Sequence, residues 1–80
     1  MKRIIYHVVH KNADSRWHLE EAGGGDLSSH DSKGAAVEDG KARAKALHDQ
    51  GTNAQLIIHR QDGSIETEHT YGDDPRQTPG

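Results

Sequence analysis

Histidine is the residue type with the most chemistry to offer in this chain. Seven of the 80 residues are His, and Cys is absent. Imidazole titrates near neutral pH, binds transition metals and serves as a general base. His7, His59 and His69 fall in three separate β-prone stretches, where a sheet could bring them together. A zinc or nickel centre needs three or four ligands meeting at about 2 Å, each oriented from behind. The spacings that would announce one are missing: there is no helical His-x-x-x-His and no His-Glu-x-x-His. His7 and His10, three apart in a strand, point to opposite faces. The histidines are therefore expected at the surface or against a partner, with no metal and no other cofactor.

The remaining constellations have simpler explanations. Ser29-His30-Asp31 writes a catalytic triad in a row, but triads converge from separated positions. Helix capping is the expected role of Asp31 and its neighbours. The pairs Glu20/Glu21, Glu66/Glu68 and Asp73/Asp74 would need a cleft that holds two carboxyls at a set separation. A domain of this size offers little concavity, and Glu66 and Glu68 fit the charged side of an outer strand. Gly23-Gly24-Gly25 lacks the spacing of a phosphate loop and is expected to be a flexible connection. No catalytic residue is expected, and the protein is not expected to be an enzyme.

Charge limits the partners. Ten Lys and Arg against 13 Asp and Glu give a net charge of −3, and protonating all seven histidines would bring it to +4. Lys41, Lys45 and His48 would form a basic edge along a helix. Phosphate binding calls for basic excess, and Glu38, Asp39 and Asp49 dilute that edge. Nucleic acid is the runner-up partner. The lack of Cys fits a reducing compartment. The N-terminal apolar run is too short for a signal peptide, and no stretch approaches the ~18 apolar residues of a membrane span. A cytoplasmic protein without membrane contact is expected.

The elements that would position these residues are legible in part. Ile4–Val9 is β-branched and aromatic and predicts a strand; Arg16–Glu20 alternates polar and apolar and predicts its hairpin partner. After the glycines, Asp31 and Ser32 are the best N-caps for a helix that runs to about Gln50 and stops at Gly51. Ala36, Val37, Gly40, Ala44 and Leu47 share one helix face. Gly40 costs about 1 kcal/mol in a helix interior, which close approach to a sheet would offset. Ala54–His59 is the strongest strand signal, and Asp62-Gly63 predicts a hairpin into Ser64–Thr70. Ile65, Thr67 and His69 share one face of that strand. The expected fold is α+β, β-β-α-β-β, an antiparallel sheet with one helix on one face. Residues 1–71 would form a single domain and residues 72–80 a tail.

The core is thin. Leu, Ile and Val total only 12, with one Trp and no Phe. Small domains without metals or disulfides often rely on association. Ile5, Val9 and Ile57 would lie opposite a helix-facing set of Tyr6, Val8, Leu56 and Ile58, although a one-residue slip would exchange the two sets. If the helix covers one set, the other needs cover as well. A homodimer is expected, and an unidentified protein partner is the other way to cover the face. The candidate interaction residues are Ile5, Val9 and Ile57, with Lys41, Lys45 and His48 for the runner-up. The expected function is a non-catalytic binding module.

Five pieces of sequence occur together in order: Tyr6-His7-Val8-Val9; Trp17-x-Leu19; Asp31-Ser32-Lys33 leading into Ala36-Val37; Leu56-Ile57-Ile58-His59-x-x-Asp62-Gly63-x-Ile65; and Tyr71-Gly72-x-Asp74-Pro75. Together, over roughly residues 4–76, they resemble the bacterial domain-of-unknown-function family DUF2188. The resemblance implies a small stand-alone bacterial protein with no established catalytic role, and it assigns no functional residue. His10 stands where that family often has Pro, and Arg76 where it often has an aromatic residue.

Overall fold

The computed structural model describes residues 3–72. Its elements run β1 (Arg3–Lys11), β2 (Arg16–Glu21), β3 (Gly25–His30), α1 (Lys33–Asp49), β4 (Asn53–His59) and β5 (Ile65–Tyr71). The single helix packs on a five-stranded sheet ordered β3-β2-β1-β4-β5. The α+β class and the one helix on one face are as expected. The expected β-β-α-β-β order is corrected by one strand, and the antiparallel sheet becomes a mixed one.

The unexpected strand is β3. Residues 23–25 form a tight turn rather than a flexible connection. Gly23 and Gly25 take φ values of 78° and 101°, and the Gly24 N–H donates to the Glu21 carbonyl at 2.9 Å. The strand that follows, Gly-Asp-Leu-Ser-Ser-His, has one aliphatic residue and no β-branched one, so propensity gives no sign of it. Tertiary contacts hold it instead. It pairs antiparallel with β2, setting Trp17 opposite His30 and Leu19 opposite Ser28. Ser28 Oγ donates to Asp39 Oδ2 of the helix at 2.6 Å, and His30 Nε2 lies 3.2 Å from the same oxygen.

The extra strand also explains the mixed sheet. β1, β2 and β3 alternate in direction, so β3 runs parallel to β1. The helix then returns the chain, and β4 starts in the direction of β3. With two strands before the helix, β4 would have met β1 antiparallel; with three it meets β1 parallel, Tyr6 opposite Leu56 and Val8 opposite Ile58. The other three pairings are antiparallel. β1 continues through His10 to Lys11, where a proline would have removed a ladder donor.

The helix begins where its cap predicts. Ser32 is extended (φ −134°, ψ 154°), and its hydroxyl accepts from the Ala35 N–H at 3.1 Å. Its inward stripe is Ala36, Gly40 and Ala44, flanked by Val37 and Leu47. The core below is Tyr6, Val8, Leu19, Ala54, Leu56 and Ile58, which settles the face assignment in favour of the helix-facing set expected from sequence. Gly40 lets the helix sit close: a Cβ there would lie 2.7 Å from Leu56 Cδ1 and 3.1 Å from Leu19 Cδ1. Trp17, half-buried at the rim, packs edge-on against His10 with ring centroids 5.1 Å apart. The Lys33 ammonium sits 5.8 Å from the Trp17 ring and also pairs with Glu66. The expected tail lies outside the described residues from residue 73 onward. No helix among the described residues is long and apolar enough to cross a membrane.

Two glycines in the same helix are predicted to respond with opposite signs. Gly40→Ala gains about 1 kcal/mol of helix propensity but overpacks the core by about 1–3 kcal/mol, so thermal unfolding shifts down. Gly34→Ala, with open space around it, shifts unfolding up by at most about 1 kcal/mol. Asp39 makes the helix-to-β3 contact sensitive to acid. Desolvation pushes its carboxyl up, but bonds from Ser28, Arg43 and His30 outweigh that and hold it below its ordinary 3.8. A depressed carboxylate stabilises the fold above the unfolded value and loses that contribution as pH falls through the folded one. Denaturant titrations from neutral down to acid are therefore expected to show stability falling below about pH 4. Asp39→Asn is expected to be less stable at pH 7 and to have a flatter acid limb.

Candidate functional site

Strand alternation divides the sheet into a covered and an uncovered face. Residues at even positions of β1 and β4 meet the helix. Those at odd positions, Ile5, His7, Val9 and Lys11 on β1 and Gln55, Ile57 and His59 on β4, line the other face and are half-buried. The register sets Ile5 beside Gln55 and His7 beside Ile57. Thus Ile5, Val9 and Ile57 form an aliphatic patch at the middle of the uncovered face, around His7. The expected grouping of these three residues is what the structure displays. Two further apolar residues are more exposed, Leu27 at 36% and Ile65 at 49%, both on the outer strands.

Polar groups frame this patch, and most are paired with one another. Lys11 Nζ lies 2.7 Å from Glu20 and 3.4 Å from Asp26. Gln55 Nε2 donates to Glu68 at 2.8 Å. His18, opposite Val9 on β2, is only 6% exposed. Its Nδ1 is 2.7 Å from Asp26 Oδ2 and its Nε2 is 2.8 Å from Asp14 Oδ2. Desolvation pushes the Asp14 carboxyl up, yet the bonds from His18 and the Arg16 N–H hold it below the ordinary value. The ring thereby ties the β1–β2 turn to β3, a role that neither composition nor spacing announces.

His7 and His59 meet on this face, with Nδ1 of His7 2.9 Å from Nε2 of His59. The His59 Nδ1 is 3.0 Å from the Gly63 carbonyl in the β4–β5 turn. A carbonyl only accepts, so His59 Nδ1 carries a proton. In the neutral pair, Nε2 of His59 is then the acceptor for the His7 Nδ1–H. Burial lowers the His7 pKa and the neighbouring His59 adds to that, while Glu20 opposes it. His69, the third histidine weighed from sequence, pairs with Leu56 and points to the helix side, so the three do not converge. No three His, Asp or Glu side chains among the described residues are placed to hold a metal together.

The basic edge lies away from this face, on α1. Lys45 and His48 are exposed and Lys41 is half-buried. Lys45 is already paired with Asp49 at 3.1 Å. The run Ser29-His30-Asp31 disperses: Ser29 and Asp31 both meet Arg16, and His30 meets Ser28 and Asp39. Asp62 accepts from the Ser64 N–H at 2.9 Å and from its hydroxyl at 2.7 Å, a turn-stabilising role. Those bonds lower its pKa.

His18→Leu is expected to cost about 1–3 kcal/mol, because Asp14 and Asp26 lose their shared donor. Denaturant unfolding of the variant measures this. A change within error of zero would mean that the two contacts contribute nothing net.

Comparison with known proteins adds a family. No curated protein and no solved structure matches the chain. A family model described as "Uncharacterized protein conserved in bacteria (DUF2188)" matches residues 6–71. That span takes in β2 to β5, the helix and all of β1 except Arg3, Ile4 and Ile5. The chain belongs to the DUF2188 family of uncharacterised bacterial proteins.

Proposed function

We propose that this protein is a non-catalytic interaction module that self-associates through the uncovered face of its sheet. The observation that carries the proposal is the aliphatic patch of Ile5, Val9 and Ile57 on a face that no element among the described residues covers. Sheets pack face to face through such central residues. The surrounding charges favour the same conclusion. Lys11 pairs with Glu20 and Asp26 within the face, and Asp26 also meets His18. A second copy can therefore cover the patch while Lys11 and its carboxylate partners stay paired.

Size sets the strength. Five strands at about 4.8 Å spacing and about 20 Å length make a face of about 500 Å². Two such faces bury about 1,000 Å², the lower limit of specific interfaces. The association is accordingly weak and concentration-dependent. Binding of nucleic acid along Lys41, Lys45 and His48 is the alternative, and the Lys45–Asp49 pair argues against it.

Sedimentation velocity over a concentration series at pH 7.5, with and without a mixed nucleic-acid duplex, tests both. A monomer–dimer equilibrium indifferent to the duplex is expected, and Ile57→Glu is expected to shift it to monomer with an unchanged circular dichroism spectrum. A monomer at every concentration would overturn the proposal. A monomer that travels with the duplex and releases it in high salt would move the function to the helix edge.

A further inference from the structure

We infer that the His7/His59 pair is a two-nitrogen binding site for a divalent transition ion, Ni²⁺ or Cu²⁺, with its remaining coordination positions open on the uncovered face. The inference needs one chain only and does not rest on self-association.

Geometry carries it. Two nitrogens bound cis to one metal at about 2.05 Å, with a right angle between them, are about 2.9 Å apart. The His7 Nδ1–His59 Nε2 separation is 2.9 Å. Tetrahedral zinc would require a wider bite of about 3.3 Å, so square-planar or octahedral ions fit with less movement. The ring centroids are 5.2 Å apart and the planes 33° from parallel. In the hydrogen-bonded pair the His59 Nε2 lone pair faces His7 Nδ1, so a turn of both rings is what brings the two lone pairs to a common point beside the line joining them.

His59 has the support that metal-binding histidines use. Its Nδ1–H donates to the Gly63 carbonyl, which fixes the tautomer and presents the Nε2 lone pair. The ion replaces the proton now shared between the rings. His7 Nδ1 gives up that proton and His7 Nε2 takes one from solvent, so no net proton is released. Glu20, opposite His7 across β1 and β2, adds negative charge beside the site; Lys11, its partner, is the facing cation. With two protein ligands the affinity is modest, and water fills the other positions.

The test uses the full chain and Ni²⁺ alone at pH 7.5. Substoichiometric Ni²⁺ is paramagnetic, and the ring protons of His7 and His59 are expected to broaden before those of any other histidine. Calorimetric titration is expected to give one ion per chain, weakened about tenfold or more by His59→Gln or by His7→Gln. His48→Gln and His69→Gln are expected to change it less than twofold. Earlier broadening of another histidine, a titration indifferent to His59→Gln, or no binding up to millimolar Ni²⁺ would each overturn the inference. The broadening is read on the unaltered protein, so it decides the matter even if a variant fails to fold.

Discussion

The structure depends on how closely one helix made of small residues can approach the sheet. Gly40 faces Leu56 and Leu19 with no room for a methyl group, and Ala36 and Ala44 continue that surface on either side. Small residues let a short list of large ones suffice. Leu19, Leu56 and Val8 are the largest fully buried side chains, and each gains its burial from a helix drawn down onto it. Among the described residues, the same economy leaves nothing for the second face of the sheet. One helix covers one face, and Ile5, Val9 and Ile57 remain outside its reach.

Much of this was legible in the sequence because it rests on local chemistry. Ser32 bounds the helix by its hydroxyl, and Gly51 by the positive φ that the lack of a Cβ allows. The β-branched runs gave β1 and β4, and the alternation from Tyr6 to Val9 separated the two faces correctly. What was illegible was non-local. β3 is polar and is held by β2 on one side and by Asp39 on the other. The six residues of the strand itself give no sign of those partners, which lie in the preceding strand and the following helix. Missing that one strand reversed the direction expected of everything after it, which is why a parallel β1–β4 pair stands where an antiparallel one was expected.

The site divides the same way. The aliphatic members of the uncovered face follow from period-two alternation. The contact of His7 with His59 does not, because their approach depends on the parallel register of β1 and β4 and hence on the strand that propensity hid. His18 was equally silent. Its two carboxylate partners come from the β1–β2 turn (Asp14) and from β3 (Asp26), and the contacts to both hold the ring in a nearly closed surface. A face framed by such internal pairs carries an aliphatic patch around His7 and keeps the charges at its rim paired. That combination suits reversible contact with a like surface.

The most direct measurement is methyl relaxation by an inert, soluble paramagnetic probe at low and high protein concentration. If the uncovered face meets a second copy, the methyl groups of Ile5, Val9 and Ile57 lose their relaxation enhancement as concentration rises, while Val37 and Leu47 on the sheet-facing side of the helix stay constant. Equal enhancement of Ile5, Val9 and Ile57 at both concentrations would contradict the account, since the face would then remain open to solvent however many copies surround it.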